Sequence, residues 1–278
     1  MHKQELIDRA TQLVPQLAQR AAQTEQHRQI PQETLESLTH AELFRTLVPL
    51  QYGGLGLDYD TVLDICIALG QGCGSTAWCY GIWMAGTWII GAYPEQIQKE
   101  CYAQGPDVVA TGGFNPEPGF EVTERPHGYH LRGRWSYGSG CDAAQWALVI
   151  APTPQGPAFF LVPRMRFAID DQWYVSGLRG TGSKDLVVDT DVDMDYVLQI
   201  AELREGCTPR AAPESDGQSS PPVLYDHLLR ADRTHARDGL WGIGSLQAGY
   251  QTQFSDAWRR HESPGGIADA WSRSHDGD

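Results

Sequence analysis

The spacing of apolar side chains switches near residue 107 from helical steps to short strand-like runs, and that switch constrains the fold more than any other feature. Before it, Leu6, Ile7, Ala10, Leu13, Val14, Leu17, Ala18 and Ala21 recur at three- and four-residue steps, which lines one face of a helix. Pro31 opens a second helix over PQETLESLTHAEL, because a missing N–H costs nothing in a first turn. After the glycine-rich turn QYGGLGLD, Asp58 or Asp60 caps a third helix through Val62, Leu63, Cys66 and Leu69. Ser75 is expected to cap the long apolar helix that follows, and Pro94 to open a last one, PEQIQKECYAQ.

Beyond the switch, DVVATGGF, FEVTE, YHLRGRWSY, WALVIAP, AFFLVP and LVVDTDV are short runs rich in β-branched and aromatic residues. PEPG, RPHG and PTPQGP punctuate them, as turns between strands do. Helices first and strands afterwards predict an α+β fold rather than alternating βαβ units. The expected division is an all-helical domain over 1–106 and an antiparallel β-barrel over 107–205. A linker and irregular tail then run over 206–278, beginning in TPRAAPESDGQSSPP.

Composition removes several function classes. The formal net charge of −14 over 278 residues opposes a nucleic-acid partner or an anionic membrane surface, both of which demand clustered positive charge. The run TAWCYGIWMAGTWIIGAY over 76–93 is uncharged and nears the ~18 residues of a membrane span. It carries three glycines and stands in an acidic chain, so it reads as the buried helix of a helical domain. The N-terminal stretch lacks the apolar core of a signal peptide. Six cysteines form neither a CxxC pair nor a zinc-ligand spacing; they read as reduced thiols of a cytoplasmic protein, with no metal site expected.

Residues 133–146, GRWSYGSGCDAAQW, hold two tryptophans, a tyrosine, two serines and three glycines, and no lysine of the kind a phosphate loop would supply. Such a composition suits a backbone brought close to a flat aromatic ligand with hydroxyls at its edge. Taken alone, Trp78 on its apolar helix is a core residue and Ser139 a turn serine. GLRGTGSKD reads as a surface turn, with Arg179 and Lys184 as the alternative, a pair of basic residues for a ligand's phosphate. Neither GGLGLD nor GLRGTGS has the spacing or context of a dinucleotide fingerprint.

Four motifs, GGLGL, GCGSTAW, GRWSYGSGCDAAQW and WYVSGLRGTGSKDLVV, occur in an order that resembles the acyl-CoA dehydrogenase superfamily. The chain looks most like its reduced-flavin-dependent monooxygenase branch, over about residues 5–205. That resemblance implies the oxygenase component of a two-component system that hydroxylates phenolic or polycyclic aromatic substrates with O2. Reduced FMN or FAD would come from an NAD(P)H-dependent flavin reductase and react through a C4a-hydroperoxide kept from water. Carried over by motif, Trp78 lies against the flavin, and Gly112, Gly113 and Phe114 follow its edge. Tyr137, Gly138 and Ser139 sit beside its reactive side, with Ser139 catalytic near N5.

The resemblance has two departures. Where the branch often carries a histidine two residues before the helix tryptophan, MAGTW has Gly86. The family's C-terminal four-helix bundle supplies part of the flavin site and most of a homotetramer interface, and the tail here has neither its length nor its pattern. A truncated or frame-shifted chain with exposed docking faces is the expectation. The alternatives are an acyl-CoA dehydrogenase-like enzyme holding oxidised FAD, and a non-catalytic fragment.

Overall fold

A computed structural model describes residues 3–204, which belong to a single structural unit. The predicted linker and tail, with Cys207, lie outside the described residues. Five α-helices come first: α1 (Lys3–His27), α2 (Gln32–His40), α3 (Tyr59–Gly70), α4 (Gly74–Ile90) and α5 (Glu95–Cys101). On α1 the predicted face is buried at Leu6, Ala10 and Leu17, while Ala18 is exposed. Pro31 precedes α2, and Pro94 precedes α5. Asp58 caps α3, its carboxylate accepting from the Thr61 backbone N–H at 2.9 Å.

Ser75 does not cap α4. The N-cap is Cys73, which makes no side-chain bond, and the Ser75 hydroxyl donates instead to Glu25 Oε1 of α1 at 2.6 Å. A carboxylate brought in from α1 is a stronger acceptor for that hydroxyl than any local arrangement offers. The apolar run becomes the centre of the helical core, where Ala77, Cys79, Tyr80, Trp83 and Met84 pack with Ile65, Leu69 and Phe44. Among the described residues no helix is long and apolar enough to cross a membrane.

The strands form two hydrogen-bonded sheets. In the first, β1 (Ala110–Gly113) pairs in parallel with β5 (Trp146–Thr153). β5 pairs antiparallel with β6 (Gly156–Pro163), and β6 with β9 (Val197–Gln199). In the second, β4 (Gly128–Gly138) lies between β8 (Lys184–Asp193) on one side and β2 (Asn115–Pro116) and β3 (Glu121–Arg125) on the other. β7 (Phe167–Asp170) closes the far edge. A short helix, α6 (Ile200–Arg204), follows β9. Inward residues of both sheets share one core, with Tyr129, Leu131 and Trp135 of β4 meeting Val149, Phe160, Leu186 and Val188. The sequence pattern of alternating apolar residues thus encloses a β-domain core, within the mixed α+β fold expected.

α4 also packs on the strands. A Cβ on Gly86 would stand 2.6 Å from the Ala110 carbonyl oxygen and 2.9 Å from the Ala110 Cβ, so α4 and β1 touch backbone to backbone there. No larger side chain fits at residue 86, which accounts for the glycine where the resemblance led to a histidine. Arg45 ties the helices to the approach to β1 through a bidentate pair with Asp107, at 2.9 and 2.8 Å.

Candidate functional site

The site lies where the N-terminal turns of α4 meet the end of β4. Register between β4 and β8 is regular from Gly128 to Trp135 and then shifts before Gly138. Such a bulge bends its strand and re-aims a side chain. Here it leaves Tyr137 at φ 68°, a left-handed conformation costly for an aromatic residue, with its side chain 47% exposed. Its ring meets Trp173 edge-on at 6.0 Å. The strain and the outward ring belong to one local device, and both lie beside Ser139.

Trp78 and Ser139, 61 residues apart in sequence, are in direct contact: the indole Nε1–H donates to Ser139 Oγ at 3.0 Å. Trp78 is half-buried and Ser139 is buried. Ser139 Oγ is also 2.7 Å from Ser183 Oγ, which is 2.7 Å from Thr181 Oγ1, and the Thr181 hydroxyl donates to the Leu178 carbonyl at 2.9 Å. The Ser139 carbonyl in turn accepts from the Thr111 hydroxyl of β1 at 2.9 Å. One buried group of hydroxyls therefore connects α4, β1, the end of β4 and the segment leading into β8.

That last segment is clamped from behind. Glu25 of α1 accepts from the Arg179 backbone N–H at 2.9 Å, the Gly180 N–H at 3.1 Å and the Ser75 hydroxyl. The Thr181 carbonyl accepts from the Gly140 N–H at 2.8 Å and from the Cys79 thiol at 3.4 Å. Burial pushes the Cys79 thiol well above its ordinary range, so it acts here as a neutral donor. Lys184 is buried and spent, its Nζ 2.8 Å from Asp142 Oδ1, and is not available to a phosphate.

The glycines singled out from sequence each have an internal packing role. A Cβ on Gly112 would meet the Phe114 ring at 2.4 Å, and one on Gly113 would press on Leu186 and Trp135 at 3.0 Å. On Gly138 it would meet Leu186 at 2.9 Å. Phe114 stands edge-on to Phe159 at 6.0 Å. Gly112 and Gly113 sit on β1 and Gly138 at the end of β4, so the strands bring these positions to the same end of the β-domain as Ser139. Sequence reasoning passed over Thr181, Ser183, Thr111 and Glu25. Thr181 closes a 3-10 turn and Gly182 beside it is left-handed, so no strand or helix period marks Thr181 and Ser183 in the sequence.

Known proteins resemble the chain in sequence and in fold. Residues 2–105 match the family described as acyl-CoA dehydrogenase, N-terminal domain. The chain is 34% identical over 211 residues to the oxygenase component of the FADH2-dependent resorcinol hydroxylase of Rhizobium sp. (strain MTP-10005), covering 73% of this chain and 51% of that one. It is 34% identical over 188 residues to the flavin-dependent monooxygenase oxygenase subunit HsaA of Rhodococcus jostii (strain RHA1), covering 66% and 49%. The crystal structure of the HsaA monooxygenase from M. tuberculosis superposes with a TM-score of 0.75 at 26% identity, over 93% of this chain and 75% of that one. The chain spans about half the length of the curated relatives it matches.

Proposed function

We propose that this chain, a member of the acyl-CoA dehydrogenase superfamily, serves in the oxygenase component of a two-component flavin-dependent monooxygenase that hydroxylates a phenolic or polycyclic aromatic substrate. The observation that carries the reading is the bond from Trp78 Nε1 to Ser139 Oγ, beside the strained, outward Tyr137. The lining suits a flavin ring: Trp78 offers a half-buried indole face, Ser139 offers an oxygen lone pair, and neither they nor Ser183, Thr181 and Thr111 behind them carry charge. Reduced FMN or FAD, when bound, supplies the electrons that activate O2 for transfer to an aromatic carbon.

In this reading the chain's own residues supply placement and dryness. Trp78 fixes the Ser139 hydroxyl and offers its half-buried indole as a wall of the ring site. Ser139 holds a hydrogen bond at the flavin N5 position. Gly112, Gly113, Phe114, Tyr137 and Gly138 line the ring, and the Tyr137–Trp173 pair keeps water off its edge. The reduced flavin is delivered by a separate NAD(P)H-dependent flavin reductase. The cytoplasm is the compartment proposed, where free buried thiols such as Cys66 and Cys141 stay reduced.

The test is anaerobic titration of the full chain with reduced FMN and reduced FAD, followed by tryptophan fluorescence. Binding is expected, and Trp78→Phe and Ser139→Ala each weaken it about tenfold, the loss of one well-placed hydrogen bond. With a flavin reductase, NADH, O2 and resorcinol as a trial phenol, mass spectrometry should detect a product one oxygen heavier. A chain that binds neither flavin in either redox state sinks the proposal.

A further inference from the structure

The three hydroxyls behind Trp78 form a chain whose ends are chemically fixed. At one end the indole Nε1–H is a donor and nothing else; at the other the Leu178 carbonyl is an acceptor and nothing else. Each hydroxyl between them has one proton to give. Thr181 gives its proton to Leu178 O, so its oxygen accepts from Ser183, Ser183 accepts from Ser139, and Ser139 accepts from Trp78. All three side chains are buried, at 5% exposure or less, which removes water as a substitute partner. Ser139 has therefore spent its proton and filled one lone pair, and what it still offers a ligand is a second lone pair.

We infer that Ser183 and Thr181 are positioning residues that hold Ser139 as a hydrogen-bond acceptor toward the flavin and so select the reduced ring, whose N5 bears a hydrogen, over the oxidised ring, whose N5 only accepts. The inference rests on the flavin reading above and deepens it. Ser139 can donate to an oxidised N5 only if all three hydroxyls reverse or its oxygen faces the Ser183 oxygen at 2.7 Å with no proton between them, and either way one bond is lost. Reversal strands the Thr181 hydroxyl bond, although the Leu178 carbonyl keeps the Thr181 N–H at 3.1 Å and the Trp173 Nε1–H at 3.3 Å. The discrimination is thus about one neutral hydrogen bond, roughly a fivefold difference in affinity. A system fed reduced flavin by diffusion gains from it, because spent oxidised flavin leaves more readily.

The test measures dissociation constants of the full chain for oxidised FMN and, anaerobically, for reduced FMN, and follows their ratio. Ser183→Ala releases the Ser139 proton, and the preference for the reduced form should fall about fivefold. Thr181→Val keeps the shape, removes the terminal hydroxyl and should shift the ratio in the same direction. Thr181→Ser restores it. A merely structural role would weaken both redox forms together and leave the ratio unmoved. Wild-type protein that binds flavin, with Ser183→Ala and Thr181→Val keeping its ratio, overturns this inference alone. Wild-type protein that binds neither form overturns the flavin reading, and this one with it.

Discussion

Two tryptophans on one helix, Trp78 and Trp83, give their indole protons to adjacent residues, Ser139 and Gly140, and do different work. Five residues apart, they point roughly 140° from one another around α4. Trp83 is completely buried, edge-on to Phe44 at 5.7 Å, and donates to the Gly140 carbonyl at 3.2 Å. Trp78 is half-buried and donates to a hydroxyl that retains acceptor capacity. The Trp83 contact joins helical and strand halves with every group consumed, whereas the Trp78 contact joins them and leaves a bond to make. The difference separates a seam that holds the fold from the seam proposed to meet the flavin.

The sharpest break between them is stability. Trp83→Ala should cost about 3–5 kcal/mol, as removal of a fully buried aromatic does, read from urea unfolding of the full chain. Trp78→Ala should cost less than half of that, because part of its surface already faces solvent. Equal losses at the two positions would dissolve the distinction.

Much of this pairing was legible in the sequence. The apolar run had to become a buried helix, and GRWSYGSG had more glycine and aromatic content than a plain strand uses, so Trp78 and Ser139 stood out separately. Their meeting at one seam followed from the order of motifs rather than from any local rule. Ser75 misled, since a serine ahead of an apolar run looks like a cap until Glu25 arrives from α1 to take its proton. Thr181 and Ser183 stayed hidden in GLRGTGS for a like reason: their partner Ser139 is 44 residues from Ser183, and no spacing rule reaches that far. The resemblance implies a histidine at 86, and only the backbone approach of β1 explains the glycine there.

Glycine substitutions sharpen the comparison at a smaller scale. Gly140 has φ 67°, and a Cβ there would lie 2.5 Å from Trp83 Nε1, so Gly140→Ala meets both backbone strain and the edge of a locked indole. A loss of about 2 kcal/mol or more is expected in urea unfolding. Gly112→Ala meets the tip of the half-buried Phe114 ring instead. A half-buried ring that swings about its Cα–Cβ bond yields more readily than a left-handed backbone, so the stability cost should stay under about 1 kcal/mol while flavin affinity changes. A Gly112→Ala protein as unstable as Gly140→Ala would place Phe114 with the rigid seam.

The smallest effect is electrostatic and belongs to the buried thiols behind both seams. Burial pushes the Cys66 and Cys141 thiols up to about 12 from an ordinary value near 9, and the Cys79 thiol rises for the same reason. Cys79 and Cys141 donate to the Thr181 and Gly182 carbonyls, directly behind the hydroxyl chain. A folded-state value raised above the unfolded one leaves stability intact below pH 9. Above it the unfolded chain loses thiol protons that the folded chain keeps, so stability falls progressively between about pH 9 and 12. At pH 9 the loss should be under about 1 kcal/mol per thiol, and Cys141→Ala, whatever its cost at pH 7, should flatten the alkaline slope of the urea midpoint. An unchanged slope would mean that the Cys141 thiol ionises in place, and that the wall behind Ser139 admits water after all.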